Sequence, residues 1–375
     1  MERKRIKILH FPIRNSNGGV TRSALKIWQY IDHDRFQFDF ATCSPGLDFA
    51  QDIVEQGCRV HYLSCYAEQD AGRFREELGE ILRQGYDVLH FNTSWWKSFH
   101  AEEAAKEAGV KQIVIHAHST FVDLVDDRQR EKELSAHEAL KQEFRADMAT
   151  HFLTCSEEAA DFLFGAQIPR TDIRVMHNAV DIGRYSYDAQ KRAAMRDSLH
   201  LQDRFVIGSI GRMSYAKNQL FLLDCFQEIQ QKAENAVLLF VGNGELEQDI
   251  RNRIEGYGIG DKVILTGAVE NAEDYLQLMD VFALPSRFEG LPCVLIEAQA
   301  AGLLCIVSDA VTKEAKITDN ILFVELEKEK WVQAILKQTQ GYRRVKVDRQ
   351  IRDAGYDIRK EIKVLEELYS EVSRG

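Results

Sequence analysis

The sequence predicts an α/β protein with two parallel sheets, each in a domain of its own. Three observations carry that expectation. The chain has 375 residues, and domains commonly hold about 100–200. Short apolar runs of strand length alternate with stretches of helical spacing, the pattern of parallel sheets. The alternation pauses after Asn178-Ala179-Val180-Asp181, crosses a polar segment to about residue 203, and then begins again.

Residues 6–11, 36–42, 59–63, 88–92, 112–116 and 151–155 read as the strands of the first series. Residues 21–31, 74–84, 102–108, 132–149 and 157–164 carry the helical spacing between them. The second series has strands at 205–210, 236–241, 263–265, 281–284 and 304–307, with helices at 219–232, 245–257, 272–279 and 292–301. Near the end, Ile358, Ile362, Leu365, Leu368 and Val372 fall on one helical face. The domains are drawn at 1–183 and 184–355, followed by a helix within 356–375.

Composition excludes several classes. Apolar residues make up 45% and charged residues 29%, an ordinary globular mix. A net charge of −11 argues against a nucleic-acid partner, which calls for a basic balance. The basic stretch at residues 1–7 reads as a solvated strand lead-in, with weak attraction to anionic lipid heads as the alternative. No apolar run reaches the ~18 residues of a spanning helix, and no signal peptide is visible at the N-terminus. The seven cysteines are scattered, with no C-x-x-C pair, so a reduced cytoplasm is expected rather than a disulfide framework or zinc site.

Ligands of open α/β sheets bind beyond the carboxyl ends of strands, so chemistry is sought just after each strand. After 281–284 comes Ser286-Arg287-Phe288-Glu289-Gly290-Leu291-Pro292, leading into a helix that carries Glu297 among Val294, Leu295, Ile296 and Ala298. Gly290 allows close backbone approach. Pro292 suits a helix start, whose open N–H groups suit an oxygen-rich ligand. A carboxylate amid apolar neighbours needs a partner, and vicinal ribose hydroxyls would offer two donors; an exposed Glu on a polar helix face is the plainer alternative. After 205–210 comes Gly211-Arg212-Met213-Ser214-Tyr215-Ala216-Lys217-Asn218. Arg212 and Lys217 could flank one anion, a planar fork beside a point charge, or be two solvated cations. This is neither a Walker loop nor a dinucleotide fingerprint.

Weaker signals follow other strands. Asn17-Gly18-Gly19 precedes a helix and could present N–H groups to a phosphate or sugar, or be a plain turn. Gly242-Asn243-Gly244-Glu245 and Thr266-Gly267-Ala268-Val269 are compatible with the walls of a nucleotide pocket. His116 and His118 close the strand from Gln112, and alternation puts both on one face. They could be structural, a metal pair lacking further ligands, or active-site histidines.

Together these segments resemble the family-4 retaining glycosyltransferases of the bacterial capsular and exopolysaccharide type, in order and over nearly the whole chain. Gly18-Gly19 is similar to that family's N-terminal glycine loop and Asn178-Ala179-Val180-Asp181 to its N-G-V-D turn, with Ala179 in place of Gly. Gly211-Arg212 with Lys217-Asn218 is similar to G-R-x-x-x-x-K-N, and Glu289 and Glu297 to its E-x7-E pair. The resemblance implies the GT-B fold, two Rossmann-like domains with parallel sheets facing a central cleft, and a last helix crossing back to the first domain.

It also implies roles. Arg212 and Lys217 would bind the nucleotide diphosphate and Glu297 the ribose. Glu289, Gly290 and Leu291 would meet the donor sugar's hydroxyls, and His118 would sit by the reacting sugar. Gly18, Gly19, Asn243 and Val269 would complete the donor site. The partners would be a nucleotide-sugar, a UDP-sugar by choice, and a saccharide or polyprenyl-linked acceptor. No metal or other cofactor is expected, and the place of work would be the cytoplasm or the inner face of the membrane. The rival readings are a nucleotide-sugar 2-epimerase and a noncatalytic nucleotide-sugar-binding protein.

Overall fold

The computed structural model describes residues 5–15, 19–122, 124, 126–289, 291–341 and 343–373. Gly18 and Gly290, both expected at the site, lie outside the described residues. The chain divides into two compact units. One runs up to Asn178 and takes in the residues from Arg359 onward, and the other spans 179–358.

Among the described residues the first unit holds seven strands: β1 Ile6–Phe11, β2 Phe36–Thr42, β3 Val60–Tyr62, β4 Val88–Thr93, β5 Gln112–Ala117, β6 His151–Thr154 and β7 Ile173–Val175. They form one sheet in the order β3-β2-β1-β4-β5-β6-β7, with every pairing parallel. The second unit holds β8 Phe205–Ile210, β9 Ala236–Val241, β10 Val263–Leu265, β11 Val281–Leu284, β12 Leu304–Ser308 and β13 Ile321–Val324. Their order is β10-β9-β8-β11-β12-β13, again all parallel.

Burial explains why these segments are strands. All residues of β8, β9 and β11 are buried, because helices cover both faces of the sheet. The strand order reverses between β1 and β4 in the first sheet and between β8 and β11 in the second. A crevice opens beyond the carboxyl ends at such reversals. The C-terminal helix Ile358–Ser370 buries Ile362, Leu365, Leu368 and Tyr369. Tyr369 reaches histidines on β1 and β4, so this helix belongs to the first core.

Some elements differ from the sequence expectation. The helix expected at 132–149 is Asp127–Glu143, because the Asp126 carboxylate accepts from the Gln129 N–H and starts it early. The polar segment before residue 203 contains the helix Ala189–Ser198, capped by Asp188 and held by arginines rather than an apolar face. Arg192 donates to the carbonyls of Gln277, Leu278 and Met279, and Arg196 to that of Leu278. Both also pair with Asp280, Arg192 at 2.5 Å and Arg196 at 3.1 Å. Strands β7 and β13 and the helices Ala50–Glu55, Lys328–Leu336 and Asp348–Asp353 were likewise unread from sequence. Among the described residues no helix is long and apolar enough to cross a membrane.

Candidate active site

At the carboxyl end of the second sheet, four loops remote in sequence become one cluster. The loop after β8 carries Gly211, Arg212 and Lys217. It is stitched to the loop after β9 by three backbone bonds: Gly211 N–H to Val241 O, Met213 N–H to Asn243 O, and Leu246 N–H to Met213 O. The fit is close enough to demand glycine. A Cβ on Gly242 would lie 2.3 Å from the Gly211 carbonyl oxygen, and one on Gly244 would lie 2.3 Å from that of Met213. Gly242 also has φ +129, which L side chains rarely adopt. Its N–H donates to Gly267 O, tying in the loop after β10 that carries Val269.

The loop after β11 joins the same cluster. The Arg287 N–H donates to Ala216 O at 2.8 Å, and Asn218 Nδ2 to Pro285 O at 3.1 Å. Lys217 Nζ lies 2.5 Å from Glu289 Oε1, which also accepts from the Ser286 hydroxyl at 2.7 Å. Arg212 pairs through Nε with Glu245 at 2.9 Å. That leaves its two terminal amino groups without a hydrogen bond to any described residue. The Arg287 guanidinium lies over the Tyr215 ring, 4.6 Å from its centroid.

Leu291 is buried, and Pro292 caps the helix Cys293–Ala300. Every residue of that helix after Cys293 is buried, including Glu297 at 2% exposure. Its neighbour Gln299 is met by the loop beyond β12, donating to Ala315 O and accepting from the Ile317 and Thr318 N–H groups. Glu297 is thus buried in the helix that follows the loop after β11. This rejects the plain alternative of an exposed glutamate on a polar face.

The first unit presents a different chemistry at its strand ends. Gly19 opens the helix Gly19–Tyr30 that follows β1. His118, just past β5, continues the ladder by donating its N–H to Thr93 O. Its ring lies 4.1 Å from that of His116, so both do share a face. His118 Nε2 is 2.9 Å from Asn92 Oδ1, whereas His116 Nδ1 is 3.1 Å from His90 Nε2. His90 and His10 stack at 4.2 Å, with the Tyr369 hydroxyl between them. Burial pushes the imidazoles of His10, His90 and His116 well below their usual range, and that of His118 to about 4. All four are therefore neutral near pH 7. His10, His90, Asn92 and Tyr369 were not singled out from sequence. The repeated i, i+2 pattern of His90/Asn92 and His116/His118 on adjacent strands was the available signal.

The architecture and the site bear comparison with known proteins. Residues 204–340 match the family model described as glycosyl transferases group 1, and residues 17–184 match that of glycosyltransferase family 4. EpsF of Bacillus subtilis (strain 168), named as a glycosyltransferase, is 27% identical over 313 residues, spanning 82% of this chain and 80% of EpsF. The Escherichia coli UDP-Gal:alpha-D-GlcNAc-diphosphoundecaprenol alpha-1,3-galactosyltransferase is 24% identical over 315 residues, 81% of this chain and 80% of that one. Among solved structures, Anabaena Alr3699/HepE in complex with UDP and glucose superimposes with a TM-score of 0.74. That match has 17% identity and covers 98% of this chain and 100% of HepE. The fold is thus the two-domain α/β fold of the GT-B glycosyltransferases. The chain belongs to the group 1, family-4 glycosyltransferases, the class that the sequence motifs had suggested.

Proposed function

We propose that the chain moves a sugar from a UDP-sugar to a hydroxyl of a saccharide or polyprenyl-linked acceptor, with retention of anomeric configuration, in polysaccharide assembly. The observation that carries this reading is the cluster of Arg212, Lys217 and Glu289 at the carboxyl end of the second sheet. Two cations and a carboxylate stand on loops that the folded chain laces together. The terminal amino groups of Arg212 suit phosphate oxygens, and Lys217 adds a point charge. Glu297, buried on its helix, suits the paired hydroxyls of a ribose. Glu289 and the backbone of Gly290 and Leu291 would take the sugar's hydroxyls. Asn243 and Val269 would wall the nucleotide, and Gly18 and Gly19 would contact the donor. His118 would meet the reacting sugar. UDP is preferred because HepE binds it and the E. coli relative takes a UDP-sugar. The lipid-linked acceptor is favoured by that same relative's name.

In the proposed reaction the bond from the anomeric carbon to the diphosphate oxygen breaks as the acceptor oxygen bonds to that carbon. The acceptor's proton passes to the departing phosphate. Arg212 and Lys217 stabilise the charge that develops there, which is where preorganised cations contribute most. The reaction needs no metal or other cofactor, so turnover should persist in excess EDTA. It takes place in the cytoplasm or at the inner face of the membrane, and vesicle sedimentation would measure the peripheral contact. Proton NMR of the product tests the stereochemical claim: an α-linked product from an α-linked donor supports it, and a β-linked product rejects it. Solvent deuterium appearing at sugar C2 without acceptor would point instead to a 2-epimerase.

A further inference from the structure

We infer that Asn92 is a positioning residue: it holds His118 as the neutral Nε2–H tautomer, so that Nδ1 faces outward as a hydrogen-bond acceptor for a sugar hydroxyl. This rests on the reading of His118 as the residue beside the sugar. The argument begins with the Asn92 amide. Its Nδ2 lies 3.5 Å from the Phe11 carbonyl oxygen and 3.5 Å from His10 Nδ1. A carbonyl only accepts, so the amide nitrogen belongs on that side and Oδ1 faces His118. An amide oxygen also only accepts, so the 2.9 Å contact requires a proton on His118 Nε2. A neutral ring then has a bare Nδ1, and no described residue donates to it.

The buried groups behind Asn92 agree with one direction of donation throughout. With the amide nitrogen facing it, His10 Nδ1 is unprotonated, and His10 Nε2–H donates to the Tyr369 oxygen at 3.3 Å. The Tyr369 O–H donates to His90 Nδ1 at 2.6 Å, and His90 Nε2–H to His116 Nδ1 at 3.1 Å. Reversing any member would place two donors face to face. His10, His90, His116 and Tyr369 are the titratable groups stacked on or bonded into this chain, all nearly inaccessible to solvent. Their mutual bonding locks the amide of Asn92, and the amide locks the ring of His118. The consequence for recognition is that the contacted sugar position must carry a donor. A hydroxyl fits, whereas a methoxy or carbonyl at that position does not.

The test is the tautomer itself, read from 15N NMR of histidine-labelled full-length protein, with His118→Ala assigning the signals. The parent should show His118 protonated at Nε2 and bare at Nδ1 from pH 8 down to pH 6. Asn92→Ala should give a mixture that includes the Nδ1–H form. Asn92→Asp keeps the shape but substitutes a carboxylate, and should raise the His118 titration midpoint by at least one pH unit. If both variants keep the parent's tautomer and titration, the proposal is overturned. If the alanine variant does not fold, the isosteric aspartate variant decides alone. The underlying reading fails separately. If His118→Ala binds UDP-glucose as much more tightly than UDP as the parent does, His118 does not face the sugar, whatever its tautomer.

Discussion

At the residue scale, Glu102 gives the sharpest expectation. It sits in the first turn of the helix His100–Glu107, is 1% exposed, and among the described residues neither carboxylate oxygen has a side-chain partner. Burial drives its carboxyl up to about 8. Between the ordinary glutamate value and that one, the folded chain keeps a proton that the unfolded chain releases. Stability from this group is therefore intact in acid and falls as pH rises, by about 3 kcal/mol at pH 7. Glu102→Gln should raise the melting temperature at pH 7.5 more than at pH 5. An equal gain at both would contradict the account. Glu289→Ala removes the partner of Lys217, and with it a proposed sugar contact. It should lower kcat of transfer by about 10-fold or more while UDP binding changes little, as separate titrations would show. Gly242→Ala places a Cβ against the Gly211 carbonyl and should lower stability by more than about 1 kcal/mol in urea unfolding.

At the element scale, stability depends on how β1, β4, β5 and the C-terminal helix share one polar core. His10, His90 and His116 have folded values well below that of free histidine, so the unfolded chain takes up protons first as pH falls. Their contribution is present above the free-histidine value and lost below it. Tyr369→Phe leaves His10 and His90 without their shared oxygen and should cost about 1–3 kcal/mol. Urea unfolding at pH 7.5 would measure it. Sequence reading placed β1, β4 and β5 and the helical spacing of 358–372, because apolar periodicity reports them directly. It missed the histidine core, since His10 and His90 lie inside strands that read as ordinary apolar cores. Their partner Tyr369 is 279 residues from His90. The helix Ala189–Ser198 was missed because arginines bonded to carbonyl groups, rather than apolar residues, hold it. Arg212, Lys217 and Glu289 were legible because each follows a buried strand at a fixed spacing. Glu245 was legible only as the end of a glycine loop compatible with a pocket wall; its pairing with Arg212, 33 residues away, was not.

At the scale of the whole molecule, each compact unit carries its own core and its own chemistry. The first unit needs the residues after 358, whose Ile362, Leu365, Leu368 and Tyr369 are buried in it. A chain ending at residue 358 should lose the cooperative unfolding of that unit and keep nucleotide binding in the second; loss of both would contradict this division. The central claim is that the second unit's loops and buried Glu297 form a nucleotide-sugar site. A thermal-shift titration of the full chain with UDP, GDP, ADP and UDP-glucose tests it most directly, with Arg212→Ala and Glu297→Ala alongside. A ligand that binds only the folded state raises the melting temperature with its concentration. The account predicts a rise with UDP and UDP-glucose that both substitutions abolish. No rise with any nucleotide, or a rise unchanged in both variants, would contradict it.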